Sequence, residues 1–296
     1  MTMPMVVAHR GGAGRRPENT LAACAHALKT GADGVEIDVR LSRDGEVVVF
    51  HDPCLDPRHV RGDGGRNLTG DAPLVRDLSF SELRRFDAGY PRSGAGSGAI
   101  PPVPGERIPS LEELLRLLDG MPGRPALLIE LKTDFETASP LDPGELTGAV
   151  LEVLNRHAGK TPFLLLSFDW RCLVHAMHAT GPERCVFLTA PGEAPVTAGQ
   201  DGDAWFAGHP PARYGGSAVQ AICALGGCRW GAHHGSLDAR IVSEAREAGV
   251  EVAAWTVNEP RHLMRMQAFG VDCLITDYPD RAVKVRSLAQ DPAAAS

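Results

Sequence analysis

Short apolar runs alternate with amphipathic stretches along almost the whole chain. Runs rich in β-branched and aliphatic residues predict buried β-strands, and apolar residues at helical spacing between them predict helices. The eight predicted strands are Val6–Gly11, Gly34–Leu41, Ala126–Lys132, Phe163–Asp169, Cys185–Ala190, Arg229–His234, Glu251–Val257 and Cys273–Pro279. The predicted helices are Thr20–Gly31, Ser110–Gly120, Gly144–Ala158, Arg171–Gly181, Ser236–Gly249 and Pro260–Gly270.

The alternation of strands and helices favours an α/β fold with a closed parallel sheet, a (β/α)8 TIM barrel. An open, doubly wound sheet is the competing architecture. It would normally carry a G-x-G-x-x-G loop after the first strand, because the phosphates of a dinucleotide bind there. The glycine-rich run at residues 11–14 breaks that spacing. The barrel is therefore the predicted fold.

Helix ends carry the expected local signals. Several predicted helices open with a capping Thr or Ser, as at Thr20, Ser110 and Ser236, and close with Gly. Asn19 is interpreted as a further capping residue of the first helix. These signals support the predicted boundaries.

Two segments interrupt the repeat. Residues 52–107 separate the second strand from its helix, which is far longer than an ordinary βα loop. Within them, Tyr90–Pro104 is rich in Gly, Pro and Ser and predicts a mobile surface loop. Residues 194–216 are similarly polar, and both insertions are candidate lids or specificity elements. We expect one catalytic barrel domain over residues 1–289, with its insertion at about 52–107, and a frayed tail at 290–296.

Composition narrows the possible partners and location. The 296 residues are 43% hydrophobic and carry a formal net charge of −7, which gives no long-range attraction to nucleic acid or anionic membranes. No apolar run is long enough to span a bilayer, and no secretory signal is visible at the N-terminus. The seven cysteines form no C-x-x-C pair, so free thiols in the cytoplasm are expected.

Inward-facing carboxylates are the sharpest chemical feature. Glu36 and Asp38 share one face of a predicted strand, and the apolar residues between them suit the helix-covered exterior of a barrel. Glu130 and Lys132 repeat this arrangement on the next strand. Such carboxylates repel each other and are costly to bury, a problem that a hard divalent cation relieves. Pairing with Arg10 or Lys132 is the alternative that the pattern leaves open.

Two histidines also lie at strand ends. His9 ends the first strand, and His51 ends the continuation of the second. An imidazole can donate and accept a proton near neutral pH, so the pair is predicted to act as general acid and base. His233 and His234 are expected to line the pocket without doing chemistry. For Asp277, at the end of the last strand, structural and functional interpretations stay open.

These residues stand in a series of motifs that resembles the glycerophosphodiester phosphodiesterase family. The most specific are HRGG and PENT within residues 9–20 and EIDVRLSRDGEVVVFHD at residues 36–52. Weaker motifs continue in the family's order over nearly the whole chain. They are DLSFSELRRFDAG (77–89), GERIPSLEELL (105–115), IELK (129–132), LLSFD (165–169), WTVN (255–258) and LITDYPD (274–280).

The resemblance implies a role for each matched residue. Glu36, Asp38 and Glu130 match the family's metal ligands, with Mg²⁺ or Ca²⁺ the usual ion and Mn²⁺ a further candidate. His9 and His51 match its catalytic pair. The residues that match substrate contacts are Arg10 and Lys132 for the phosphate and Trp255 for the wall near the glycerol. The run DPCLDPRHVR after His51 departs from many members and puts the identity of the substrate in doubt.

The implied activity is metal-dependent hydrolysis of glycerophosphodiesters to an alcohol and glycerol 3-phosphate, with a place in lipid and glycerol metabolism. The only implied partner is this small-molecule substrate, and the oligomeric state is not predicted. A lysophospholipase D-type enzyme that acts on longer lipids is the closest alternative. A non-catalytic barrel that binds phosphoesters would be expected to lack one of the histidines or carboxylates. Attack by water and attack by a substrate hydroxyl through a cyclic phosphate both remain open.

Overall fold

Eight parallel strands in the described part of the chain close into a barrel. A further, short strand pairs with one of them in the antiparallel direction. The computed structural model of the chain describes residues 3–57, 60–91, 100–133, 141–157, 161–190 and 202–290. The strands are β1 (Met5–Ala8), β2 (Gly34–Leu41), β3 (Val47–Val49), β4 (Ala126–Leu131), β5 (Phe163–Ser167), β6 (Cys185–Thr189), β7 (Arg229–His233), β8 (Glu251–Trp255) and β9 (Cys273–Thr276).

Strand pairing confirms the predicted (β/α)8 barrel. From β2, the parallel order runs β4, β5, β6, β7, β8, β9 and β1, and β1 pairs with β2 to close the ring. Asp38 on β2 stands opposite Glu130 on β4 in this register. The short β3 pairs with β2 in the antiparallel direction, with Val49 opposite Val39. It turns the chain back, so that His51 lies near the carboxyl end of the barrel.

Helices cover the outside of the barrel. All six predicted helices form. The described residues contain four further helices, which were not predicted because three of them are short and the fourth, at the C-terminal end, carries few apolar positions at helical spacing. The helices are α1 (Leu21–Lys29), α2 (Phe80–Leu83), α3 (Leu111–Asp119), α4 (Pro143–Arg156), α5 (Trp170–Thr180), α6 (Gly202–Trp205), α7 (Ala218–Ala224), α8 (Ala239–Glu247), α9 (Pro260–Phe269) and α10 (Pro279–Gln290).

Two of the three predicted Thr and Ser caps are present. The hydroxyl of Thr20 accepts a hydrogen bond from the Ala23 backbone N–H at 3.1 Å. Ser110 caps α3 in a reciprocal capping box. The predicted cap at Ser236 is wrong, because Asp238 occupies that position and accepts from the Ile241 N–H at 2.8 Å.

The alternation along β2 places its side chains as predicted. Val35, Ile37 and Val39 belong to the apolar layer between the strands and the helices. A separate, smaller apolar cluster fills the lumen with residues such as Leu128 and Ile275. Beyond this cluster, toward the carboxyl ends of the strands, the carboxylates of β2 and β4 face the interior.

The insertion after β3 packs around a small core of its own. The described parts of residues 52–107 contribute Leu55, Val75 and Leu83 to a cluster with Val48 of β3. Most of the predicted mobile loop, residues 92–99, lies outside the described residues, as do residues 194–201 of the second insertion and residues 291–296 of the predicted tail. None of the helices in the described part of the chain combines the length and hydrophobicity that crossing a bilayer requires.

Candidate active site

The carboxyl ends of the barrel strands surround a cavity of about 430 Å³. Seven of the eight predicted site residues line it: His9, Arg10, Glu36, His51, Glu130, Lys132 and Trp255. The eighth, Asp38, is fully buried. The structure therefore brings together residues from the two ends of the sequence and from its centre.

Three carboxylates form the acidic part of this site. Glu36, Asp38 and Glu130 each present an oxygen atom, and these atoms all lie within 4.8 Å of one another. Their residues are 2%, 0% and 7% exposed. Burial and the neighbouring charge of Asp38 raise the pKa of Glu36 to about 8. Burial opposes ionisation of Asp38 too, but Lys132 and Arg10 hold its pKa well below the usual range.

Two cations lie among these carboxylates. Lys132 Nζ donates to Glu130 Oε1 at 2.5 Å and lies 3.2 Å from Asp38 Oδ1. Arg10 Nε lies 3.3 Å from Asp38 Oδ2. The internal pairing that the sequence left open is thus real, but two cations face three carboxylates. Oε1 of Glu36 is buried and accepts no hydrogen bond from the described residues.

The HRGG motif shapes the backbone beside the carboxylates. Arg10 adopts a left-handed conformation, with φ at 50°, which is strained for a residue with a side chain. In this conformation its backbone N–H donates to Glu36 Oε2 at 2.8 Å. Gly11 follows with φ at 77°, and a Cβ there would lie 3.0 Å from the Cys24 backbone nitrogen. The motif therefore aims a backbone donor at Glu36, and Gly11 lets the backbone pack closely against α1.

Asn19 does not cap α1, so that prediction is wrong. Its side chain bonds Asp38 twice, with Nδ2 donating to Oδ2 at 2.8 Å and Oδ1 accepting from the Asp38 N–H at 3.1 Å. A positive φ of 57° places the side chain there. Thr20, the next residue, is the cap. Sequence spacing gave no sign of this contact, because it joins a loop to a strand across the site.

Each candidate catalytic histidine is held by an aspartate through Nδ1. His9 Nδ1 lies 2.7 Å from Asp277 Oδ1, and His51 Nδ1 lies 2.6 Å from Asp52 Oδ1. Burial lowers the pKa of His9, but the Asp277 hydrogen bond and the Glu36 charge outweigh it, so this pKa is raised. Burial dominates at His51 and lowers its pKa. Both residues line the cavity, and His9 Nε2 lies 4.0 Å from Glu36 Oε2.

An apolar wall completes the cavity. The rings of Phe168 and Trp255 meet edge to face with centroids 5.4 Å apart. Leu166, Leu188 and Ile275 line the cavity with them. The ring of His233 contacts Trp255 at 5.4 Å, but neither His233 nor His234 lines the cavity, so their predicted pocket-lining role is wrong.

Comparison with known proteins yields consistent matches over nearly the full length. Residues 9–281 match the model of the glycerophosphoryl diester phosphodiesterase family. A glycerophosphodiester phosphodiesterase from Bacillus altitudinis is 28% identical over 295 residues, which cover 96% of this chain and 98% of the relative.

Solved structures agree with this match. A Silicibacter pomeroyi protein, provisionally named a glycerophosphoryl diester phosphodiesterase, has 30% identity and a TM-score of 0.84, covering 98% of this chain and 95% of that one. An Oleispira antarctica phosphodiesterase, solved with its product sn-glycerol-3-phosphate, has 26% identity and a TM-score of 0.71, covering 96% and 97%.

Proposed function

This chain belongs to the glycerophosphoryl diester phosphodiesterase family, and on that premise we propose that it hydrolyses glycerophosphodiesters to an alcohol and glycerol 3-phosphate in a metal-dependent reaction. One observation carries this proposal: two histidines, two cations and a cluster of three buried carboxylates, two of which line the cavity, come together at one site. The Oleispira antarctica relative, which binds sn-glycerol-3-phosphate as its product, supports the choice of product.

Glu36, Asp38 and Glu130 fit a divalent cation. Their oxygen atoms are close enough to share one ion, and Glu36 Oε1 has no hydrogen-bond donor among the described residues. An all-carboxylate set favours hard ions such as Mg²⁺, Ca²⁺ or Mn²⁺ over softer ones. Such an ion, when bound, would neutralise charge that builds on the phosphate oxygens during the reaction.

Arg10 and Lys132 supply the positive charge for the substrate phosphate. Both side chains lie close to Asp38, with Arg10 Nε at 3.3 Å and Lys132 Nζ at 3.2 Å from its carboxylate. An ion among the carboxylates would take over part of that neutralisation, which leaves the two cations available to a phosphodiester anion. Trp255 and Phe168 form the apolar wall against which the carbon atoms of the substrate pack.

His9 and His51 divide the proton transfers. Hydrolysis breaks the P–O bond to the leaving alcohol. The oxygen of the nucleophile, either water or a substrate hydroxyl, forms a new P–O bond as this bond breaks. One imidazole accepts the proton of the nucleophile, and the other donates a proton to the alcohol oxygen, so the protons balance. The Nδ1 contacts to Asp277 and Asp52 orient the two rings, so that Nε2 of each faces the reacting groups.

A turnover screen tests this function directly. Glycerophosphodiesters with different alcohols, and a lysophospholipid, are incubated with the chelator-treated enzyme with and without added Mg²⁺, Ca²⁺ or Mn²⁺. Glycerol 3-phosphate is measured as the product. We expect metal-dependent release from the short diesters. Release from the lysophospholipid alone would favour the lysophospholipase D-type alternative, and no turnover of any diester would favour a binding barrel.

Phosphomonoesters are expected to be poor substrates. Cleavage of a diester uses a histidine to protonate the leaving alcohol and uses the second ester to position the phosphate. When glycerol 3-phosphate is supplied as the only substrate, the release of inorganic phosphate should therefore be negligible beside the rate of diester cleavage. Comparable rates would identify a phosphatase instead.

A further inference from the structure

Two polar residues outside the predicted set form a network behind His9. Asp277 follows β9, and Asn258 lies shortly after β8. One carboxylate oxygen of Asp277 lies 2.7 Å from His9 Nδ1. The other lies 2.7 Å from Asn258 Nδ2. Asp277 thus bridges a candidate catalytic imidazole and a side-chain amide.

The orientation of the Asn258 amide follows from its other contacts. Its Oδ1 accepts the Asp277 backbone N–H at 2.9 Å and lies 3.2 Å from the Thr276 hydroxyl. That hydroxyl accepts the Tyr278 backbone N–H at 3.1 Å, so it is free to donate its own proton to Asn258. A backbone N–H can only donate, so the oxygen of the amide must face it. Nδ2 is therefore the atom that donates to Asp277.

This network dictates the tautomer of His9. Both oxygens of the ionised Asp277 accept hydrogen bonds, so His9 must carry a proton on Nδ1. In the neutral imidazole the lone pair then lies on Nε2, which is 4.0 Å from Glu36 Oε2. We propose that Asp277 and Asn258 are a positioning pair that fixes the Nδ1–H tautomer of His9. This inference rests on the proposed function, in which His9 transfers a proton through Nε2.

Asp277→Asn is the sharpest test, because it changes the hydrogen-bonding pattern and hardly the shape. Asn258 Nδ2 still donates, so the oxygen of the new amide at position 277 must face it. The amide nitrogen at position 277 then faces His9 and donates to Nδ1, which moves the imidazole proton to Nε2. We expect kcat to fall on the order of 10²–10⁴-fold, since a wrong histidine tautomer in the serine-protease triad costs about 10⁴-fold. KM and metal affinity should change little.

A double exchange is expected to restore activity. In Asp277→Asn combined with Asn258→Asp, the carboxylate at position 258 accepts from the backbone N–H of residue 277 and from the new side-chain amide. That amide must therefore turn its oxygen toward His9, which allows the Nδ1–H tautomer again. We expect the double variant to recover at least about tenfold in kcat over the single variant, within the range of a general acid–base contribution.

Imidazole ¹⁵N spectra at alkaline pH, where the ring is neutral, report the tautomer without turnover. The His9 signals are identified by their loss in His9→Ala. We expect the Nδ1–H form in the wild type and the double variant, and the Nε2–H form in Asp277→Asn. Asp280→Asn, a change at a surface carboxylate paired with Arg15, is the matched control and should keep wild-type kcat.

Wild-type kcat in Asp277→Asn would overturn the positioning pair, and so would a double variant no more active than the single one. An unchanged His9 tautomer in Asp277→Asn would overturn it as well. The proposed function fails separately, if the wild type turns over no glycerophosphodiester in the presence of metal. If His9→Ala keeps full turnover, His9 has no role in the reaction. If His9→Ala is inactive while Asp277→Asn is fully active, only the positioning pair is wrong.

Discussion

Removal of divalent cations by a chelator is expected to abolish turnover of glycerophosphodiesters, and added Mg²⁺, Ca²⁺ or Mn²⁺ should restore it. Without an ion, three carboxylates face only two cations in the cavity, and Glu36 is left with an unsatisfied oxygen. Without the ion, the charge that builds on the phosphate oxygens during the reaction loses the group expected to neutralise it. Full activity in excess chelator would contradict metal dependence.

Glu130→Ala separates metal binding from folding. Lys132 loses its 2.5 Å contact with Glu130 but keeps Asp38 at 3.2 Å. Above about pH 8, where Glu36 is ionised, two carboxylates then balance two cations, so the thermal stability of the metal-free variant should equal or exceed that of the wild type at that pH. Metal affinity should fall by more than about 100-fold, the upper end of the cost of losing an outer-shell partner.

Thermal unfolding with and without metal measures both effects. At a metal concentration of about 100 times the dissociation constant, binding should add about 2.7 kcal/mol to the unfolding free energy of the wild type. Glu130→Ala should show almost no such gain. Glu152→Ala, at an exposed position of α4, is the control and should behave as the wild type. If metal increased the unfolding free energy of Glu130→Ala as much as that of the wild type, Glu130 would be excluded as a metal ligand.

The sequence predicted the barrel well because a parallel sheet covered by helices produces a strong pattern. Gly34–Leu41 matches β2 at both ends, since strict alternation places Glu36 and Asp38 inside and their neighbours under helices. The same alternation predicted the inward direction of Glu130. Some predicted strands run a few residues past their observed ends. The predicted first strand ends at Gly11, whereas β1 ends at Ala8, because the sequence pattern does not mark where the chain turns.

Contacts between distant loops could not be predicted. Asn19 looked like a helix cap, and only the folded barrel brings it to Asp38 through a positive φ. Asp277 was left open because its partner, His9, lies 268 positions away in the sequence. A single sequence records which groups are available near strand ends. Their pairing depends on how the loops cross the face of the barrel.

The largest expected effects on turnover belong to His9→Ala and His51→Ala. If one imidazole is the acid and the other the base, each substitution should lower kcat on the order of 10²–10⁴-fold. Metal affinity should stay near the wild-type value, because the ligands are carboxylates. The metal-induced gain in thermal stability is the check that each variant still binds the ion. His178→Ala, at an exposed position of α5, is the matched control and should retain full turnover.

The leaving group distinguishes the two histidines. A diester of p-nitrophenol releases a weakly basic phenolate that departs without a proton, so the variant lacking the acid should regain part of its rate on this substrate. The variant lacking the base should stay slow, because the nucleophile still has to lose its proton. Comparing kcat for the p-nitrophenyl diester and an alkyl diester therefore assigns each role. Equal defects on both substrates would contradict a divided acid–base mechanism, and wild-type turnover in either variant would remove that histidine from it.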